Sequence, residues 1–340
     1  MEKRRLSVTR RKLLKGLAAL PVLGSVGIPA IINETFSAKD LLSDEARSSL
    51  KELKGVLPKG KLGKLEISRV VLGCNPMGGW AHSRDLPYVS QLCKQWHTDQ
   101  KMKETFAIAE KAGINTTNIV ADIYRVFNDY KKESGSKMQS ITQCMLNFKG
   151  DIHAPVKKAI DNGVTAIYIQ GWVTDNMVET GRFDDLQKTI EMVRQAGLPA
   201  GIGSHSIQSV IRTREKGIKP DFYYKTFHHD KYWSAHPREN RKEFECVHEN
   251  FPDHNRFHDN IWDLYPEQTI ETFKSIDVPL FGFKIMAAGA ITPSDGMRYA
   301  FENGADFVCM GMFDFQVVSD VNSAIDVLGS LGPRQRQWYS

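Results

Sequence analysis

The chain has few cysteines and no unbroken apolar run, and each shortage excludes something. Its five cysteines, Cys74, Cys93, Cys144, Cys246 and Cys309, are scattered and odd in number, with no CxxC pair. This argues against a disulfide framework, and Cys74, Cys144 and Cys309, in or beside apolar runs, read as buried thiols. The one long apolar stretch, residues 17–32, is interrupted by Pro21, Gly24, Gly27 and Pro29. It is too short and too broken for a membrane span, which needs roughly 20 apolar residues. The histidines form neither HExxH nor HxH. Charge of either sign is also lacking once the first residues are set aside. Residues 1–38 carry seven Lys/Arg and two Asp/Glu, so the rest of the chain balances at 38 against 38. A neutral body gives no electrostatic reason to expect nucleic acid.

The N-terminal excess is patterned. Thr9-Arg10-Arg11-Lys12-Leu13-Leu14-Lys15 precedes the apolar stretch. This resembles the twin-arginine export signal, with Arg10-Arg11 as the matching pair. The resemblance implies export of an already folded protein through the twin-arginine machinery to a periplasmic or extracytoplasmic place. Ala38 is one candidate for the last residue removed. An ordinary signal peptide or an uncleaved anchor helix is the alternative. Residues 39–60 are polar and read as a linker, either a tether or a short helix.

From residue 61 to 330 a β-α rhythm repeats. Short apolar or β-branched runs fall at 69–73, 114–119, 140–146, 166–171, 200–204, 222–226, 280–286 and 307–311. Amphipathic stretches lie at 101–111, 120–130, 155–162, 183–195, 207–216, 266–275, 293–303 and 318–328. Several of these end in a glycine turn into the next strand, as at Ala112-Gly113 and Asn303-Gly304. Eight units in series predict an α/β fold, a (β/α)8 TIM barrel in one domain, with residues 331–340 as a tail. An open doubly wound sheet is the alternative. Long loops at 75–100 and 228–263 follow strands one and six. A barrel places both at its C-terminal rim, where barrel enzymes keep their active sites.

Two segments resemble the aldo-keto reductase superfamily in its first and second strands: Glu66-Ile67-Ser68-Arg69-Val70-Val71-Leu72-Gly73-Cys74-Asn75 and Ala112-Gly113-Ile114-Asn115-Thr116-Thr117-Asn118. A third, Gly197-Leu198-Pro199-Ala200-Gly201-Ile202-Gly203-Ser204-His205-Ser206, is similar to its fifth strand. The resemblance implies the same barrel, a nicotinamide cofactor, NAD(P), and carbonyl reduction. That family works with an Asp, a Tyr, a Lys and a His. Their positions fall here on Asn118, near Tyr124, near Gln143, and on Gln170 or Gly171. An uncharged amide cannot depress a tyrosine pKa as a lysine does, so the usual relay is expected to be absent. The stretch Gly311-Met312-Phe313-Asp314-Phe315 also lacks basic residues for an adenosine 2′-phosphate.

Other residues point to chemistry directly. Six of the ten histidines, His228, His229, His236, His248, His254 and His258, lie within 31 residues, interleaved with Asp230, Asp253, Asp259 and Asp263. Imidazoles and carboxylates are the usual ligands of zinc and similar divalent metals. One candidate set is His205, His228 or His229, and Asp230, with an open position for substrate or water. Cys246, His248, His254 and His258 are a candidate zinc clip. A polar lid without metal accounts for the same residues. Lys284, inside an apolar strand, is a candidate base or Schiff-base lysine, or an ion-pair partner of Asp221 or Glu110. Lys225 invites the same reading. Residues 288–295 suit a phosphate at a helix N-terminus, or simply a turn capped by Thr292 or Ser294. Asn75, His82, Arg84 and Asp85, with Trp80, Trp96 and Trp172, suit a sugar-binding surface.

The sequence therefore predicts an exported barrel enzyme acting on a small carbonyl or carbohydrate substrate, most simply an oxidoreductase. Lys284, His205, His82 and Tyr124 are its candidate catalytic residues, and Asn75, Arg84, Asp85, Asn118, Gln143, Gln170 and Trp172 its substrate contacts. A metal-dependent lyase or isomerase and a non-catalytic sugar- or partner-binding barrel are the competing readings.

Overall fold

A computed structural model describes residues 41–83, 86, 88–244 and 263–339. The twin-arginine segment, Arg84, Asp85 and the candidate zinc clip lie outside them.

The chain enters through a helix, Asp44–Ser49, and an antiparallel hairpin, β1 (Lys59–Leu62) and β2 (Leu65–Ser68). Of the two readings of residues 39–60, the helix is the one seen. It is no loose tether, because Leu41, Leu42, Ala46 and Leu57 are buried in the main core.

Eight parallel strands then close on themselves: β3 (Val70–Gly73), β4 (Thr116–Ile119), β5 (Gln139–Cys144), β6 (Ala166–Ile169), β7 (Ala200–Ser204), β8 (Phe222–Thr226), β9 (Leu280–Phe283) and β10 (Phe307–Gly311). The ring is completed by β10 pairing with β3, Val308 opposite Val70 and Gly311 opposite Gly73. This is the predicted (β/α)8 barrel in one body. Gly113 and Gly304 take the left-handed conformation that ends a helix, with φ of 97° and 113°. Several strand bounds shift, and two differences bear on the site. β9 stops at Phe283 because Lys284 turns into the left-handed region, at φ 57°. A helix at Gly171–Glu179, which the pattern did not announce, follows β6 directly.

The interior is filled by a column of rings from β6, β8, β9 and β10. Tyr168 stacks on Tyr224 at 4.3 Å between centroids, Tyr224 on Phe281 at 5.1 Å, and Phe281 on Phe307 at 4.5 Å. Aromatic pairs are worth roughly 0.5–1.5 kcal/mol each beyond the area they bury. Room for the column comes from β7. A Cβ on Gly201 would stand 2.5 Å from the Phe222 ring, and one on Gly203 2.9 Å from Tyr168. Gly201-x-Gly203 is thus a packing feature.

The N-terminal mouth of the barrel is sealed. Leu62 and Ile67 of the hairpin pack on the interior cluster. The guanidinium of Arg69 lies 5.3 Å from the Phe307 ring and 4.1 Å from the Trp338 ring. Residues 331–339 are not a free tail. The Arg336 guanidinium donates to Asp306 Oδ2 at 2.6 Å and to the carbonyls of Ile276 and Gly304, all buried, and to the half-buried carbonyl of Val278. Removing one member of a buried pair leaves an uncompensated charge, at a cost of about 3–5 kcal/mol. Arg336→Met is expected to lose stability of that order. Urea unfolding followed by far-UV circular dichroism measures it, and a loss below about 1 kcal/mol would refute the sealing role.

Candidate active site

With the floor closed, the open space lies above the strands' C-terminal ends. It is a cavity of about 1200 Å³. Residues at or just after every strand but β8 line it, including Asn75, Asn118, Gln143, Gln170, His205, Lys284 and Gly311. The first long loop folds over it with Trp80, His82, Val89 and Cys93, and Trp172 stands at its edge. No aspartate or glutamate is among the described lining residues.

Lys284 is the one lysine or arginine among the described lining residues. Its charge is the largest influence holding His82 well below the ordinary imidazole value, ahead of burial and of His205. The Asn75 amide donates to His82 Nε2 at 3.2 Å, which suits a neutral ring. His205 is also held below its ordinary value, by burial first, and Asp175 pulls the other way. Asp175 Oδ2 accepts from the His205 backbone N–H at 2.9 Å and from its Nδ1 at 3.1 Å. Its other oxygen accepts from the Ser209 hydroxyl at 2.6 Å and from the Ser206 N–H at 3.3 Å. With Nδ1 committed to Asp175, Nε2 is the nitrogen left for the cavity that His205 lines. Gly171 makes this pairing possible, since a Cβ there would lie 2.9 Å from His205 Cε1.

Strain gathers at the same place. The non-glycine residues with left-handed backbone among those described are His82, Lys284, Ala287 and Ala288, and three of these line the cavity. Such positions cost of order 1–3 kcal/mol each and cluster at functional sites.

The three amides stand side by side on β4, β5 and just after β6. The Asn118 amide donates to the Tyr168 hydroxyl at 2.8 Å, which ties the cavity floor to the aromatic column. Gln170 Oε1 caps the helix Gly171–Glu179 by accepting from the Val173 N–H at 3.0 Å. The buried thiols at the floor are poor nucleophiles, because burial pushes Cys309 up to about 11 and raises Cys74 as well.

Several expectations are corrected here. Tyr124 does not face the cavity. It opens the helix Tyr124–Ser134 with its ring in the core, and its hydroxyl lies 2.7 Å from Thr142 Oγ1. The metal set His205, His228, His229 and Asp230 does not come together. His228 Nδ1 donates to the His229 carbonyl and its Nε2 accepts from the Asp263 N–H, so both nitrogens are spent. His229 Nδ1 accepts from the Lys231 N–H. Asp230 is held by Arg238 at 2.7 Å and Arg241 at 3.0 Å. Among the described residues no group of three His, Cys, Asp or Glu is arranged to hold a metal ion. The described part of the second long loop does not line the cavity. Its Tyr232 packs behind the wall formed by Ala287 and Ile291.

Lys225 is not a second site lysine, because it is buried in an ion pair with Asp263 at 3.1 Å. The ion-pair partners considered for Lys284 are occupied elsewhere, Asp221 by Arg194 and Glu110 by Tyr130 and Ser136. Thr292 caps the helix Pro293–Glu302, and Asp295 already stands in its first turn, which disfavours a bound phosphate there. Asp175 escaped sequence reasoning altogether. The signal available was an acidic residue among apolar neighbours one turn beyond Gly171.

No protein-family model matches the chain, and no curated protein matches it. Solved structures do. One from Pseudomonas aeruginosa, assigned to the aldo-keto reductases, aligns at TM-score 0.54 and 12% identity, covering 83% of this chain and 99% of its own. A glycerol dehydrogenase from Gluconobacter oxydans aligns at 0.45 and 12%, covering 80% and 95%. A truncated 3-deoxy-D-arabino-heptulosonate 7-phosphate synthase from Thermotoga maritima aligns at 0.46 and 12%, covering 83% and 99%. The first likeness is one of fold, and the two below 0.5 carry no argument. The nicotinamide proton relay implied by the sequence resemblance does not fit the residues present. Tyr124, near its tyrosine position, is buried against Thr142, and Gln143, near its lysine position, is an amide.

The two imidazoles make a checkable contribution to stability. Both are held neutral in the fold, whereas in the unfolded chain they protonate near pH 6.5. Stability is therefore undiminished above about pH 6.5 and falls as the pH drops below it, because the unfolded chain binds protons that the folded one refuses. His82→Asn, which suits the left-handed backbone, is expected to flatten this slope. Urea titrations between pH 5 and 8 measure it, and equal slopes in both proteins would refute the assignment.

Proposed function

We propose that this chain is a barrel enzyme that moves protons on a small carbonyl or carbohydrate substrate, with His205 as the base and Lys284 as the stabilising cation. The observation that carries the reading is the meeting of Lys284 with two neutral imidazoles in one cavity without a described carboxylate. A neutral imidazole backed by a carboxylate is suited to accept a proton. In this reading His205 Nε2 takes the proton from the carbon next to a substrate carbonyl. The C–H electron pair becomes the new C=C bond and the carbonyl pair moves onto oxygen. The Lys284 ammonium stabilises that oxyanion, and a preorganised charge of this kind is a large contributor to rate. Asp175 acts as a positioning residue through His205. Asn75, Gln143 and Gln170 supply hydrogen bonds to hydroxyls, and the His205 imidazolium returns the proton it took. Reprotonation at the same carbon gives exchange, and at its neighbour isomerisation.

The test is proton NMR in deuterium oxide, following hydroxyaldehydes, hydroxyketones and simple sugars with and without added nicotinamide. Wild-type protein is expected to exchange the proton next to the carbonyl of one class without any nicotinamide. His205→Asn and Lys284→Met are each expected to lower the rate by about 10²–10⁴-fold. Rates unchanged in both variants would end this reading. Turnover that requires added nicotinamide would move the chain to the oxidoreductases, the version whose support is the barrel likeness alone.

The reading includes export by the twin-arginine route, supported by Arg10-Arg11 ahead of the apolar stretch. Among the described residues no helix is long and apolar enough to cross a membrane. Substituting both arginines by lysine is expected to leave the precursor inside the cell, as cell fractionation would show. Unaltered release would disprove it.

A further inference from the structure

The cavity is larger than its chemistry requires, and its mouth is lined in an unusual way. Drug-sized ligands fill sites of roughly 300–1,000 Å³, and this one measures about 1200 Å³. The large apolar side chains left exposed gather at the same end. Among the described residues, ten of twelve follow a barrel strand at its C-terminal end, the exceptions being Val56 and Tyr339. The set is rich in aromatic rings. Trp80 is 39% exposed and Trp172 47% exposed, and both line the cavity while facing solvent. Beyond them Trp96 is held rigidly, its Nε1 donating to Asp314 at 2.8 Å and its ring edge-on to Phe315 at 5.7 Å.

From this we infer that the rim binds further units of an oligosaccharide whose end unit occupies the cavity. The inference rests on the proposed function for that end unit. Ring faces of tryptophan pack on the C–H faces of pyranoses, whereas amides bond their hydroxyls. Here both kinds of group line one cavity: Trp80 and Trp172, with Asn75, Gln143 and Gln170. A purely apolar partner would desolvate the remaining polar atoms of those amides at a cost, and a lone monosaccharide would leave the indoles in water. The substrate class is therefore a glycan of two or more units, with Trp172 and Trp80 as the stacking platforms next to the reacting end.

The experiment uses the full chain, an immobilised glycan panel, and then calorimetry on the retained class at one to five units. Affinity is expected to rise at least tenfold from one unit to three. Trp80→Ala and Trp172→Ala are each expected to remove two- to tenfold of that gain, because an aromatic contact is worth roughly 0.5–1.5 kcal/mol. Matching thermal melts guard against misfolding, which exposed positions seldom cause. The inference fails if no glycan is retained, if affinity is flat with length, or if both variants bind as wild type does. It also fails if light scattering shows that the tryptophans instead hold two copies together, or if they bind neutral vesicles. Length-dependent binding without proton exchange would sink only the proposed chemistry. Exchange on a single sugar without length dependence would sink only the glycan.

Discussion

Closure of the barrel around a stacked column of four rings is the constraint on which everything else depends. Tyr168, Tyr224, Phe281 and Phe307 come from four strands, and they meet because β7 supplies glycines where neighbouring rings need the space. A column this bulky leaves no channel. With the hairpin and residues 331–339 sealing one mouth, ligand-sized space is confined to the other end. The polar floor of the cavity is built on the column's top ring, through the bond from Asn118 to the Tyr168 hydroxyl. The same packing thus supplies core stability and a rigid base for the site.

Above that floor, charge is arranged by exclusion. The described carboxylates near the barrel top are spent away from the cavity: Asp175 on His205, Asp230 on two arginines, Asp263 on Lys225. Lys284 keeps its place in the cavity, and its field holds the nearby His82 neutral. The left-handed backbone at His82 and Lys284 is the conformational cost of aiming both side chains into the same space. Gly171 illustrates how the constellation differs from the aldo-keto reductase pattern. The sequence resemblance puts that family's histidine near Gln170 or Gly171; Gly171 lacks even a Cβ, and the ring of His205, just after the next strand, lies beside it.

Much of the fold was legible in the sequence. The strands at 200–204, 222–226 and 307–311 were read to the residue, because parallel barrel strands are buried on both sides and appear as continuous apolar runs. Lys284, His205, His82, Asn75, Asn118, Gln143, Gln170 and Trp172 were all named as site residues, and all line one cavity. They were legible because a polar residue at the end of an apolar strand has few places to point except the barrel mouth. The helix Gly171–Glu179 was missed because it begins at once after β6 and interrupts no pattern. Asp175 was missed with it.

The sequence by itself determined the ring of eight strands, since hydrophobic periodicity and glycine helix ends are local properties, each written within a dozen residues. It also pointed to several polar residues that line the cavity, though it misplaced Tyr124. What only the tertiary structure decided was the company each of them keeps. Tyr124 and Tyr168 are both tyrosines in apolar surroundings, yet one is turned into the helix layer and the other supports the site floor. The histidines at 228 and 229 suit a metal by residue type, yet both nitrogens of His228 and Nδ1 of His229 are spent on backbone groups. The bonds from Asn118 to Tyr168 and from the Asp263 N–H to His228 join residues 50 and 35 apart in the chain, and no local pattern encodes such a meeting.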